Sequence, residues 1–302
     1  MGVLLALGTA ISYSVMNLSI RKGAQVSGDN GVLTTLVVNV AAFTLLAAVT
    51  AAGGTFGEVR AEALFWFAMI GVVGAYLGRT FLFGGIRRIG VVRAGAIKNG
   101  SPLVTVGLAI TWIGERPEIL EVVGMAIILV GVFLVVRESL VGSRAPMPAS
   151  PAPRSDRAHV AGVTLALLAA LAFGSANAIS KVGMSIVPDA IQAGVVAAWT
   201  ALTIYLLTAV LRGETAAVSS ALAARQPWFW LAGLATTAGQ LTFFLAVQVA
   251  PVGPVTVVTA SEVVITTVLA AALVQRLELV TLRLVVPVLL VFAGTVMIAL
   301  GR

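Results

Sequence analysis

Apolar residues run through this chain in stretches of about twenty, each closed by a few polar, Gly or Pro positions. That is the length an α-helix needs to cross roughly 30 Å of hydrocarbon at 1.5 Å per residue. Ten stretches qualify: 2–22, 31–52, 63–87, 90–113, 118–136, 159–182, 189–211, 227–249, 252–274 and 279–300. The punctuation includes Ser27-Gly28-Asp29-Asn30, Gly53-Gly54, Glu115-Arg116-Pro117, Pro188-Asp189 and Gln226-Pro227. Residues 137–158 differ: Pro, Ala, Ser and Arg dominate around Arg144–Arg154, a composition that builds no core and predicts a flexible linker carrying the sole histidine, His159, at its edge.

The linker separates two similar segments, 1–136 and 159–302. A shift of 160 superposes Asn17 on Asn177 and Arg21 on Lys181, together with Gly2, Leu5, Ala6, Ala10 and Gly23 on Gly162, Leu165, Ala166, Ala170 and Gly183. A shift of 161 brings Gly78-Arg79 onto Gly239-Gln240, and Lys98, Ser101 and Thr105 onto Thr259, Glu262 and Thr266. Five spans per half is an odd number, so the second half enters the membrane from the opposite side. The expected fold is therefore an all-α integral membrane protein of ten transmembrane helices in two five-helix inverted-topology repeats, a construction that places a solute site near the midplane.

Composition strengthens the membrane reading. Hydrophobic residues make up 59% of the 302 and charged residues 10%; mean hydropathy is +1.06. A soluble domain carries about 25% charge to cover its core. With no cysteine and one histidine, thiolate chemistry and cysteine metal sites are excluded, and a metal or general-base role for His159 lacks companions. The formal charge of +7 is scattered over helix ends and connections, so it reads as membrane topology rather than a nucleic-acid surface. Eleven Lys and Arg fall on one side and four on the other, which predicts a multi-pass protein of the cell (inner) membrane with both termini outside the cytoplasm. The first apolar stretch has no basic leader or cleavage site before it and reads as a retained span.

Three charges lie deep in the spans: Arg79, Lys98 and Glu262. Each costs at least about 2.5–3.5 kcal/mol at a helix centre and so requires a reason. Arg79 and Lys98 sit at similar depth on adjacent helices, and two cations side by side repel unless an anion lies between them. Either Glu262 pairs with Lys98 or Arg79 to fix the packing, or the excess positive charge receives a carboxylate or phosphate while Glu262 takes an amine or a proton. Lys98, Ser101 and Thr105 share a helix face, repeated by Thr259, Glu262 and Thr266. Asn17, Asn177, Tyr76 and Gln240 add hydrogen-bonding groups. The substrate-binding set is thus Arg79, Lys98, Glu262, Asn17, Asn177, Tyr76, Gln240, Ser101 and Thr259. Gly100-Ser101-Pro102 predicts a kink, and Gly71, Gly74 and Gly78 predict close helix approach. Helices 118–136 and 279–300 are almost free of polar residues and are expected at the periphery, facing lipid or a second subunit.

Asn17-Leu-Ser-Ile-Arg21, Asn177-Ala-Ile-Ser-Lys181, Ala96-Ile-Lys-Asn-Gly-Ser-Pro102 and Ile113-Gly-Glu-Arg116 resemble the EamA-type branch of the drug/metabolite transporter superfamily. The resemblance covers the chain outside the linker and implies a central cavity between the halves, alternating access and export of amino acids or other metabolites. The second half departs from the pattern, with Gln275-Arg-Leu-Glu278 where a Gly-Glu signature belongs. Tyr13 and Ser14 stand where small multidrug relatives carry a membrane Glu, which argues against cationic drugs. The Ile97-Lys98…Pro102 pattern is similar to the phosphate-binding segment of triose-phosphate translocators, so an anionic or zwitterionic solute is expected. The first reading is a secondary transporter, an exporter of a small polar metabolite such as an amino acid or other carboxylate. The second is an exchanger of phosphorylated or nucleotide-type anions, and a non-transporting scaffold is remote. An enzyme is not expected, because no nucleophile–base pair or metal cluster converges. Nor is an ATP-binding loop present. No cofactor is expected, coupling to a proton or ion stays open, and the partners are a small-molecule substrate and the bilayer, without nucleic acid, for a monomer or homodimer.

Overall fold

The computed structural model describes residues 1–27, 31–89, 91–142, 156–213, 226–273 and 277–301. Among the described residues all regular structure is helical: α1 Gly2–Ser27, α2 Val32–Ala52, α3 Ala61–Ile70, α4 Arg79–Ile89, α5 Val91–Lys98, α6 Ser101–Leu108, α7 Ile119–Gly142, α8 Asp156–Ile186, α9 Ala190–Leu211, α10 Pro227–Val249, α11 Val252–Thr259, α12 Glu262–Leu273 and α13 Leu277–Leu300. Two π-helical segments, Gly71–Gly78 and Ala109–Ile113, follow α3 and α6. Among the described residues six helical stretches are long and apolar enough to cross a membrane, and four shorter apolar ones accompany them. Helices suit this solvent because their backbone groups are satisfied within the segment, where lipid offers no partners. Thr9, Ser14, Thr200 and Thr236 follow the same rule, each donating its hydroxyl to the carbonyl four residues earlier.

Several boundaries differ from expectation. The first helix runs on to Ser27, and the helices flanking the linker reach Gly142 and begin again at Asp156, so much of 137–158 is helical and 143–155 lies outside the described residues. His159 accordingly sits on the opening turns of α8, not in a loop. The stretches 90–113 and 252–274, expected as single spans, are each broken in the middle. The first break falls at Asn99-Gly100, and Pro102 is the second residue of α6, where its missing amide costs little. The second, at Ala260-Ser261, has no proline in the turn that follows.

Residues 1–72 and 179–250 form one compact unit, and 73–178 with 251–302 form another. In the first, α10 packs on α1, α2 and α9, and α2 and α3 pack on α9. Fully buried Phe43, Phe67 and Phe229 fill its interior, and Gly194, Gly183 and Gly23 leave room for those three rings in turn. Asp189 fixes the start of α9: its Oδ1 accepts from the amides of Ile191 and Gln192 and its Oδ2 from that of Gly57. In the second unit α7 and α13 lie backbone to backbone, since a Cβ on Gly124 would stand 2.7 Å from the Gly294 carbonyl. Their outward faces carry Ile119, Phe133, Leu289 and Phe292, all more than half exposed. Exposed apolar faces of this extent are stable against lipid and not against water.

Candidate functional site

The two helix breaks define the site in the second unit. Lys98 is the last residue of α5 and Glu262 the first of α12. A cation at a helix C-terminus and an anion at an N-terminus each complement the local backbone dipole. The side chains also meet each other: Lys98 Nζ donates to Glu262 Oε1 at 3.2 Å. With 25% and 10% of these side chains exposed, the pair sits in a largely desolvated position where either charge alone would be costly. Of the two partners open to Glu262 from the sequence, Lys98 is in direct contact with it. The expected helical stripes straddle the breaks instead of running along one helix. Ser101 begins α6 just as Lys98 ends α5, and Thr259 ends α11 just before Glu262 begins α12.

Close packing holds this geometry. On α8, Gly174 meets α6 without a side chain between them; a Cβ there would be 2.7 Å from Ser101 O and 2.6 Å from Val104 Cβ. Thr105 Oγ1 lies within hydrogen-bond reach of the Gly174 carbonyl at 3.0 Å and of Ser101 O at 3.2 Å. The preceding residue, Phe173, lays its ring 5.5 Å from Lys98 Nζ, a cation–π contact, and packs against Gly78 at the end of the first π segment. Phe173 escaped the sequence reading because one Phe in a membrane helix carries no signal of its own. Ser101 and Thr259 are buried, and the Thr259 hydroxyl donates to Val255 O. Around the second break the hydroxyls of Thr256, Ser261 and Thr266 are buried and find no hydrogen-bond partner among the described residues.

Glu115 has a defined task. The Ala109–Ile113 π segment ends at Gly114 with φ 82°, which turns the chain so that the Glu115 carboxylate accepts from Val252 N at 2.6 Å and Gly253 N at 3.1 Å. It caps α11 from another part of the chain, with the negative charge at the positive end of the helix. In the equivalent stretch Gln275–Glu278, Gln275 and Arg276 lie outside the described residues. Tyr76 lies inside the first π segment and Arg79 directly after it. A π segment widens the helix and often accompanies a functional position. Tyr76, Arg79 and Asn177 are half-buried in this unit, each engaged in a contact of its own.

Asn17 and Gln240 belong to the first unit. Asn17 is half-buried on α1. Gln240, on α10, accepts through Oε1 from Asn39 Nδ2 at 2.8 Å, while Asn39 Oδ1 accepts from Thr237 Oγ1 at 2.9 Å. Asn39 is 2% exposed and was missed from sequence, although it is the sole amide side chain in α2. Lys181, the repeat partner of Arg21, donates to the carbonyls of Val247 and Ala250 at 2.6 and 2.8 Å and so closes the C-terminal end of α10.

A cavity of about 750 Å³ opens at the helix ends of this unit between Thr50, Arg60, Asp189, Leu245 and Gln248, among others, and none of the nine expected site residues lines it. Glu58 beside Arg60, 3.1 Å away, raises the pKa of that guanidinium further above its ordinary value by hydrogen bonding and charge. Among the described residues no three His, Cys, Asp or Glu side chains group to hold a metal ion.

A solved crystal structure matches 99% of this chain and 96% of its own at a TM-score of 0.69 and 18% identity, a likeness of fold alone. No curated protein matches. The profile of the EamA-like transporter family matches residues 1–137. That matched segment carries Lys98, Ser101 and Glu115, and in it the chain is similar to the EamA-like transporter family.

Proposed function

We propose that this protein is a secondary transporter that exports a small metabolite bearing a carboxylate, such as a neutral amino acid, by alternating access between two inverted five-helix halves. The observation that carries the reading is the Lys98–Glu262 ion pair, formed where two helices are interrupted. Interrupted helices inside a membrane are tolerated where they line a cavity or are buried in protein, and in transporters their ends meet the solute. The two breaks stand 161 positions apart, the same shift that superposes Lys98 on Thr259 and Ser101 on Glu262. That correspondence supports two repeats, with the Lys and Arg bias placing both termini outside the cytoplasm.

The chemistry is an exchange of partners. A solute carboxylate reaching Lys98 replaces Glu262 as its counter-ion, and the released Glu262 carboxylate takes the solute's ammonium group or a proton. Charge is balanced before and after, so no isolated charge is left in low dielectric. Phe173, Ser101 and the buried hydroxyls of Thr256, Ser261 and Thr266 supply the remaining surface. A phosphate dianion fits this arrangement less well, because Glu262 lies 3.2 Å from the Lys98 ammonium that it would share.

The test is counterflow into liposomes carrying the purified full chain, with labelled neutral amino acids compared against organic and phosphorylated anions. Amino-acid uptake that loses at least tenfold in affinity in Lys98→Gln, with folded yield retained, supports the reading. Uptake of phosphorylated anions alone would replace it with an exchanger of such anions. Unchanged affinity in folded Lys98→Gln would assign Lys98 to packing.

A further inference from the structure

The cavity of about 750 Å³ is lined entirely by residues of the unit formed by 1–72 and 179–250. Its volume is that of a site for a small organic molecule. Ile186, Val187, Leu241 and Leu245 give it an apolar wall. The polar lining is short of hydrogen-bond donors. The backbone amides of Thr55, Val187 and Asp189 already donate to the carbonyls of Thr50, Gly183 and Val187, and those of Gly57 and Ile191 to the Asp189 carboxylate. Pro188 has no amide proton. Thr50 and Thr55 each spend their one hydroxyl proton on a backbone carbonyl, so their oxygens are left to accept. Gln248 donates through Nε2 to Pro188 O at 2.7 Å, which fixes the orientation of the amide and leaves Oε1 as an acceptor. Among the charged lining groups, Arg60 is engaged by Glu58 at 3.1 Å, and Asp189 adds a further negative charge.

We propose that this cavity is a binding site for an organic ammonium ion with an apolar body, separate from the Lys98–Glu262 pair, neither of whose members lines it. An ammonium group carries donors and no acceptor. It is the complement of a lining that offers the oxygens of Gln248, Thr50 and Thr55 and little that donates. With Glu58 neutralising Arg60, Asp189 leaves the cavity net negative, which draws cations in and repels carboxylates. Asp189 acts through its field and not by contact, because three backbone N–H groups already hold its carboxylate. The apolar wall takes the body of the ligand, so an arylalkyl amine is preferred over methylamine. This inference concerns a second site and does not depend on the transport reading above.

The measurement is equilibrium dialysis of labelled 2-phenylethylamine against the purified full-length chain in detergent, with protein-free detergent as the blank. Unlabelled 2-phenylethylamine, 2-phenylethanol and 3-phenylpropanoate serve as competitors. The amine is expected to bind saturably, and the alcohol and the acid to compete about tenfold less well, the scale of a hydrogen bond to a charged group. Gln248→Lys keeps a donor for Pro188 O but sets a second ammonium where that of the ligand belongs, so binding should be lost. Thr50→Val removes one acceptor whose proton serves only its own helix, and should weaken binding about threefold. It also covers the case in which Gln248→Lys does not fold. The Lys98→Met, Glu262→Gln double variant should bind the amine as wild type does. Wild-type affinity in both Gln248→Lys and Thr50→Val, or loss in the double variant instead, overturns the inference and leaves the transport reading standing. Equal competition by the alcohol or the acid overturns it too, as does a lack of saturable binding at millimolar amine. A wild-type chain that binds the amine at this cavity yet shows no counterflow supports the inference and tells against the transport reading alone.

Discussion

Lys98 closes one half-helix and Glu262 opens another, and their charged atoms stand 3.2 Å apart. Each charge is held twice, by the opposite charge and by the dipole of its own helix end. Removing one member strands the other in a position shielded from water. Lys98→Met and Glu262→Gln should each lower stability by about 3 kcal/mol, read by thermal unfolding in detergent. The double variant should lose clearly less than the sum, since neither charge is then stranded. Strict additivity would show that the two side chains are not coupled.

Glu115→Ala takes the acceptor from two amides at the start of α11, and a loss of about 1–2 kcal/mol is expected. Glu115→Gln keeps an acceptor oxygen but gives up the charge, so its loss should be about half as large. Equal unfolding temperatures for Gln and wild type would remove the dipole from this account.

Gly174→Ala places a methyl group 2.6–2.7 Å from Val104 and Ser101, and α6 must move off α8 to admit it. Overpacking of this kind costs about 1–3 kcal/mol, and uptake should fall along with stability because Ser101 moves. Gly95→Ala is the control. Its Cβ meets nothing within 4 Å, so it should be neutral or stabilising by up to about 1 kcal/mol. Similar behaviour of the two variants in size-exclusion and thermal assays would contradict the packing described.

Lys181→Met leaves the Val247 and Ala250 carbonyls at the end of α10 without their donor, at an expected cost of about 1–2 kcal/mol. Lys181→Arg should recover part of that. Thermal unfolding of the three proteins ranks them wild type, Arg, Met.

The helices were legible because run length alone separates a span from a connection when the solvent is lipid. The break before Pro102 was legible because Gly-Ser-Pro announces it; its counterpart at Ala260-Ser261 has no proline and was read straight through. Both π segments were invisible for a related reason. In a uniformly apolar stretch such as Gly71–Gly78 there is no periodicity for an extra residue to disturb. Glu115 was noticed as part of a motif, but its task lies in two backbone amides 137 and 138 positions away, which side-chain patterns do not record. Asn39 went unremarked because a single amide in a span has no spacing to read. Lys98 and Glu262, by contrast, were plain from sequence, since burying charge is too costly to be incidental.

The neutrality of the Lys98–Glu262 pair bears on how this protein uses cellular energy. Moving one elementary charge through a membrane potential of 100 mV involves about 2.3 kcal/mol. A cation and an anion 3.2 Å apart that travel together perform almost none of that work. If a zwitterion exchanges partners with them it adds no net charge either. The cycle then runs electroneutrally, its direction set by concentration gradients on the two sides, and clamping the voltage across the liposome should leave the flux unchanged.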